Sequence, residues 1–120
     1  MDGLTLVNFK DSLSIVVPLY NKENNIESTI KNIVKYIKSP KLQIIIVENE
    51  STDSSNFIAK NCVEKYKNFV DIELYESKKG LGYALVEGFK HCSNDWIYFI
   101  PADFSFGNSD ISYIEKNNLY

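Results

Sequence analysis

Leu42-Gln43-Ile44-Ile45-Ile46-Val47 runs directly into Glu48-Asn49-Glu50-Ser51-Thr52-Asp53, and this stretch decides the fold. Its first half is a nearly continuous apolar run of strand length, rich in β-branched side chains. A strand with one wet face would alternate apolar and polar residues. A continuous run needs cover on both faces, which is the situation of a strand inside a parallel sheet. The second half is a polar, acidic turn, in which Ser51 or Thr52 is placed to cap a helix carrying Ile58, Cys62 and Tyr66. Strand, polar turn and helix together make one βα unit.

The same pattern repeats on either side. Leu13-Ser14-Ile15-Val16-Val17 reads as a buried strand stopped by Pro18, with Pro18-Leu19-Tyr20-Asn21-Lys22-Glu23 as its turn. Asn24 is expected to cap the next helix, with Glu27 reaching back three residues later in a variant of the capping box. Ile26, Ile30, Ile33 and Ile37 fall on one helical face, and Pro40 closes the unit. Asp71-Ile72-Glu73-Leu74-Tyr75 alternates, so it reads as a strand nearer an edge. Lys78-Lys79-Gly80-Leu81-Gly82 opens a helix whose predicted inner face is Leu81, Ala84, Leu85, Gly88, Phe89 and Cys92. Trp96-Ile97-Tyr98-Phe99-Ile100 is the fourth strand, ending in Pro101-Ala102-Asp103-Phe104. Ser109 or Asp110 begins a last helix with Ile111 and Ile114 as its apolar contacts. Residues 1–11 read as a leader, or as a short extra strand through Leu4-Thr5-Leu6-Val7, and residues 12–120 as one domain.

Strands alternating with helices give an α/β chain, a Rossmann-like three-layer sandwich with a mainly parallel sheet. With the four main strands in the order 3-2-1-4, the order reverses between the first and the fourth. Open α/β sheets bind ligands at such a reversal, outside the carboxyl ends of the strands. The crevice then lies between the turns at 18–24 and 101–107, with the turn at 48–53 as one wall. Topology alone gathers Tyr20, Glu23, Glu48, Asn49 and Asp103 at one rim.

The bulk properties narrow the partners. The chain has 120 residues, 44% hydrophobic and 24% charged, with a formal net charge of −3, and its pI is about 5.1. That balance excludes nucleic acid as a general partner, which requires a basic face. A single nucleotide is compatible with it, since backbone amides or a metal ion can hold phosphates without net positive charge. Cys62 and Cys92, with one histidine, do not form a zinc pattern and read as small buried hydrophobes with free thiols. His91, on a helix tail, is expected to meet the helix C-terminus or solvent. The glycines fit neither the phosphate-binding Gly-x-x-x-x-Gly-Lys-Ser/Thr loop nor the dinucleotide Gly-x-Gly-x-x-Gly spacing. Asp2, Asn8, Lys10 and Asp11 interrupt any apolar leader, and no run approaches the ~20 apolar residues of a membrane span. The expected location is the cytoplasm, extending to the cytoplasmic membrane surface.

Four of these segments, in order, resemble glycosyltransferase family 2. Ile15-Val16-Val17-Pro18-Leu19-Tyr20-Asn21-Lys22-Glu23-Asn24 is similar to that family's opening strand and Pro-x-Tyr-Asn-Glu turn. Ile46-Val47-Glu48-Asn49-Glu50-Ser51-Thr52-Asp53 resembles its Val-Asp-Asp-Gly-Ser-x-Asp motif. Lys79-Gly80-Leu81-Gly82-Tyr83-Ala84, ending at Gly88, resembles its Lys-x-Gly-Leu-Gly-x-Ala…Gly segment. Trp96 to Ser105 stands where its Asp-x-Asp metal motif falls. The likeness is to the N-terminal, nucleotide-sugar-binding half, in the manner of polyprenol-phosphate sugar synthases of the dolichol-phosphate mannose type, and spans about residues 13–114.

The resemblance implies an enzyme that transfers a sugar from a nucleoside-diphosphate sugar to an acceptor, with polyprenyl phosphate as the acceptor class it suggests. It implies a nucleotide-sugar site of Pro18, Tyr20, Glu23, Glu48, Asn49, Lys79, Gly80 and Ala102, with Asp103 as ligand to Mg2+ or Mn2+. Tyr20 would offer its ring to the base or ribose, Glu23 would accept from ribose hydroxyls, and Glu48-Asn49 would read the base edge. Three departures stand out. Pro101 replaces the usual first metal-motif aspartate and so weakens the metal site. Glu50 replaces a usual glycine. The acceptor half of the family fold is expected to lie outside this chain, so no catalytic base is assigned, turnover by these residues alone is not expected, and a homodimer through the surface thus left open is. The rival reading is a degenerate, non-catalytic module that binds a nucleotide or another protein.

Overall fold

The computed structural model describes residues 7–105. The last helix expected from Ser109 or Asp110, and Leu4-Thr5-Leu6 of the extra strand, lie outside the described residues. In chain order the elements are β1 (Val7–Asn8), β2 (Leu13–Leu19), α1 (Ile26–Tyr36), β3 (Ile37–Lys38), β4 (Gln43–Glu48), α2 (Ser55–Tyr66), β5 (Asp71–Glu76), α3 (Leu81–His91) and β6 (Trp96–Phe99). The main sheet runs β5-β4-β2-β6, all its pairings are parallel, and its order is the one expected from the sequence. β1 and β3 make a separate parallel pair.

The period-two geometry of a strand sends alternate side chains to opposite faces, and here it sorts the aliphatics of β2 and β4 into two layers. Ile15, Val17, Leu19, Ile44 and Ile46 pack with Ile26, Ile30 and Ile33 of α1 and Ala59 and Cys62 of α2. Val16, Ile45 and Val47 face the other way, onto Ala84 of α3. These strand residues are fully buried, which is why both strands read as nearly continuous apolar runs. Burial pushes the Cys62 thiol up to about 11, so it remains protonated and behaves as a small hydrophobe.

α3 reaches the sheet closely because of Gly88. A Cβ there would lie 2.4 Å from Cγ1 of Val16 and 3.2 Å from Cγ2 of Val47. Close approach on this narrow stripe turns the rest of the helix outward. Leu81 and Phe89, expected on the inner face, are more than half exposed, together with Tyr83 and Val86. The correction has a steric cause: small residues, Ala84 and Gly88, make the contact, and the bulky residues of α3 lie outside it.

Other local expectations change as well. α1 begins at Ile26 without a side-chain cap; the Lys22 carbonyl accepts from the amides of Asn25 and Ile26 instead, so Asn24 is not the cap. The helix ends at Tyr36, and Ile37 is buried in β3 rather than on α1. At α2 the Ser55 amide donates to the Asp53 carboxylate at 2.8 Å, and neither Ser51 nor Thr52 caps it. His91 is stacked on Tyr75, ring centroids 3.5 Å apart, with Nε2 2.9 Å from the Glu87 carboxylate. Among the described residues no helix is long and apolar enough to cross a membrane.

Gly88→Ala should destabilise the fold by about 1–3 kcal/mol, the usual cost of overpacking. Thermal unfolding checks this: a drop of several degrees is expected, and an unchanged melting temperature would contradict the close approach of α3.

Candidate functional site

Three turns at the carboxyl ends of the strands are tied together by polar side chains. Asn21, at φ 48, binds the turn after β4 at several points. Its Oδ1 accepts from the Thr52 amide at 2.7 Å and from the Asp53 amide at 3.3 Å, and its own amide donates to Ser51 Oγ at 2.9 Å. The Lys22 amide donates to Ser55 Oγ at 2.9 Å. The Glu23 amide donates to Asp53 Oδ2 at 3.2 Å, and the Glu23 carboxylate accepts from the Ser54 amide at 3.0 Å. Burial alone would raise the Asp53 carboxyl, but the hydrogen bonds from Ser55 and Glu23 outweigh it and hold the group below its ordinary value. The Asp53 contribution is therefore present above the usual carboxylate range and is lost as pH falls through its lowered value.

The second tie is Asn49, which is buried. Its Nδ2 donates to Ser77 Oγ at 2.7 Å, the Lys78 carbonyl at 2.6 Å and the Gly80 carbonyl at 3.1 Å, while Oδ1 accepts from the Gly80 amide at 2.9 Å. One side-chain amide thereby holds the loop after β5. Gly80 adopts φ 127, a conformation open to glycine and poorly tolerated by other residues. The third tie is Thr29, whose Oγ1 donates to the Ala102 carbonyl at 2.6 Å and fixes the turn after β6 to α1.

Between these turns lies a cavity of about 360 Å3, lined by Pro18, Tyr20, Lys22, Asn49, Lys79, Gly80, Pro101, Ala102 and Asp103, with Leu19 and Leu81. Seven of the nine residues expected at the site thus share one cavity. Glu23 and Glu48 do not line it. The Glu23 carboxylate is engaged by Ser54 as described, and the Glu48 carboxylate, itself buried, accepts from the Ser51 amide at 3.1 and 3.2 Å. Glu48 instead borders a separate acidic recess with Glu50, Glu76 and Glu87. A larger cleft, about 590 Å3, includes Gln43 and Asp71 among its lining. These residues begin β4 and β5, so that cleft opens at the opposite end of the sheet from the position where open α/β sheets bind ligands.

The cavity carries three charged groups. Lys22 Nζ lies 3.9 Å from Asp103 Oδ2, both side chains a little under half exposed. Lys79 Nζ sits 4.9 Å from the Tyr20 ring centroid, and its hydrogen bond with Tyr20 raises its ammonium above the ordinary value. Lys22 is the site residue that the motif reading passed over; its signal was its place in the Tyr-Asn-Lys turn, two residues after a ring that lines the cavity. As a metal centre the donor set is thin. Among the described residues Asp103 is the one carboxylate lining the cavity, and Pro101 offers no side-chain ligand. Among the described residues no group of three or more His, Cys, Asp and Glu gathers as ligands. Mg2+ takes six oxygens in near-octahedral array, and these residues do not fit a metal held by the protein itself.

With this geometry in hand, the relatives are informative. The model of the family described as "Glycosyl transferase family 2" matches residues 14–114. A poly(ribitol-phosphate) beta-glucosyltransferase of Bacillus spizizenii is 33% identical over 92 residues, covering 76% of this chain and 14% of that protein. A dolichol-phosphate mannosyltransferase of Pyrococcus furiosus is 29% identical over 91 residues, covering 76% of this chain and 25% of its own length. The chain therefore spans a quarter or less of these two relatives. Among solved structures, a mannosyltransferase from Pyrobaculum calidifontis in complex with GDP-Man and Mn2+ matches with TM-score 0.71 at 22% identity, over 86% of this chain and 31% of that one. S. aureus TarS 1-349 in complex with UDP-GlcNAc matches with TM-score 0.68 at 22% identity, over 88% and 30%. These two likenesses show a shared fold. The chain belongs to glycosyl transferase family 2.

Asn49→Asp should remove the donor that serves three oxygens and lower stability by about 2 kcal/mol, the cost of buried groups left unsatisfied. An unchanged denaturant midpoint would contradict the clamp. Glu50 holds φ 61, where a side chain costs about 1–2 kcal/mol that glycine does not incur. Glu50→Gly should therefore raise the melting temperature, after the opposing loss of chain stiffness; a fall would show that the Glu50 side chain contributes more than its backbone strain costs.

Proposed function

We propose that this member of the family forms the donor-binding part of an enzyme that transfers a sugar from a nucleoside-diphosphate sugar to an acceptor. The observation that carries the reading is the convergence of the turns after β2, β4, β5 and β6 on one cavity at the strand-order reversal, with an aromatic ring, two ammonium groups and one carboxylate on its wall. The ring suits a base or ribose, and the ammonium groups suit phosphate. Pro18, Gly80 and Ala102 add compact wall, and Asn49 acts by fixing the loop that carries Lys79. Glu23 and Glu48 act indirectly, by holding the turns that frame the cavity.

In the transfer, an acceptor oxygen bonds to the anomeric carbon as the bond from that carbon to the diphosphate oxygen breaks. The nucleoside diphosphate leaves with the electron pair. A phosphate acceptor is already ionised near neutral pH, so its oxygen attacks without a proton being removed. The names of the relatives, dolichol-phosphate in one and poly(ribitol-phosphate) in the other, support a phosphate-bearing acceptor, with polyprenyl phosphate at a cytoplasmic membrane surface as the reading adopted here. A divalent ion accompanying the donor would meet Asp103 as its protein carboxylate and take its other ligands from phosphate oxygens and water.

Calorimetry of the protein with UDP, GDP, TDP and CDP sugars tests this reading. Binding of at least one donor is expected, with affinity falling about tenfold or more in Tyr20→Ala through lost stacking. Failure of every donor to bind would favour the non-catalytic module.

A further inference from the structure

We propose that the diphosphate of the donor is held by two lysine ammonium groups, Lys22 and Lys79, in place of a resident divalent ion, so that donor binding does not require a metal. The inference rests on the donor-site reading above and concerns how that site meets the donor's charge.

Among the described residues, two ammonium groups, Lys22 and Lys79, face one carboxylate, Asp103, and the other lining residues are uncharged. The cavity is thus positive by one charge before any ion enters. A wall with two aspartates in the metal motif would instead be short of positive charge and would need an ion to receive a diphosphate. Here the position of the first aspartate is Pro101, and the turn at 18–23 brings in a lysine. The change removes an anion and the pocket already holds cations, so the two features act in the same direction.

The geometry adds a second reason. Lys22 Nζ approaches Asp103 Oδ2 at 3.9 Å with both groups partly in water. A long, exposed pair of this kind is weakly held, so Lys22 is free to turn from the carboxylate to a phosphate oxygen. While the pair stands, a divalent ion must compete with Lys22 for the Asp103 carboxylate. Lys79 comes from a different loop, the one Asn49 clamps, and is held over the Tyr20 ring. That places the second ammonium beside the surface suited to the nucleoside. Lysine is an established phosphate binder as a flexible point charge.

The test is calorimetry with UDP, GDP and inorganic pyrophosphate, each in a chelator and again with Mn2+ or Mg2+. In the chelator, the nucleotide and pyrophosphate that bind should do so within about threefold of their affinity with metal. Lys22→Ala should weaken both about tenfold under either condition, and Lys22→Arg should restore most of the loss. Asp103→Asn carries the sharper sign: with Lys22 released from its partner, affinity in the chelator should stay the same or rise. Nucleotide binding that appears only with metal and disappears in Asp103→Asn would overturn the inference while leaving the donor-site reading intact. Absence of binding by all three probes under all conditions would overturn both.

Discussion

The site depends on one constraint: polar groups at the ends of buried strands must find partners, and here they find them in neighbouring turns. β2 and β4 are covered on both faces, and the turns leaving them are partly exposed, with Asn49 and Ser55 buried among them. Asn21 satisfies the amides of Thr52 and Asp53, Ser51 and Ser55 satisfy the amides of Asn21 and Lys22, and Asn49 satisfies the loop that reaches Gly80. Buried polar groups left unpaired are costly, so the contacts of Asn49 and Ser55 in particular favour one mutual arrangement of the turns. The cavity is what remains between them.

This explains why residues that resemble ligand-binding positions divide into two kinds. Tyr20, Lys79 and Asp103 line the cavity, as does Lys22, which the motifs did not single out. Asn49, Glu23 and Glu48 have theirs engaged by backbone amides or carbonyls, and they shape the wall rather than present chemistry to it. Asn49 illustrates the difference between an amide and a carboxylate at one position. An aspartate accepts only, whereas the loop from Ser77 to Gly80 offers three oxygens and one N–H. A side chain with two donors and an acceptor suits that set.

Much of the fold was legible because β2 and β4 are nearly continuous apolar runs of strand length, which suit the interior of a parallel sheet. The strand order followed from chain topology and the family resemblance. What escaped the sequence was local. Ile37 keeps the spacing of α1, yet the helix ends one residue earlier and the side chain is buried from β3 instead. Leu81 and Phe89 keep the helical stripe of α3, yet contact through Ala84 and Gly88 leaves them outside. In each case periodicity gives the direction of a residue and not the distance of its neighbour. At the site, the motifs located the turns, but the use of Asn21, Glu23 and Asn49 depended on partners some thirty residues away. Lys22 was visible as a charge and not as a site residue, because only the folded chain sets it beside Asp103.

The central claim is that these turns enclose the place where an activated sugar donor binds, with its diphosphate between the two lysines. A crystal structure of the protein with a bound nucleoside diphosphate, grown in chelator, tests it most directly. The account predicts the nucleoside beside Tyr20 and phosphate oxygens within hydrogen-bond distance of Lys22 and Lys79. A nucleotide seated in the acidic recess around Glu48 and Glu76, or in the cleft at the opposite end of the sheet, would contradict it.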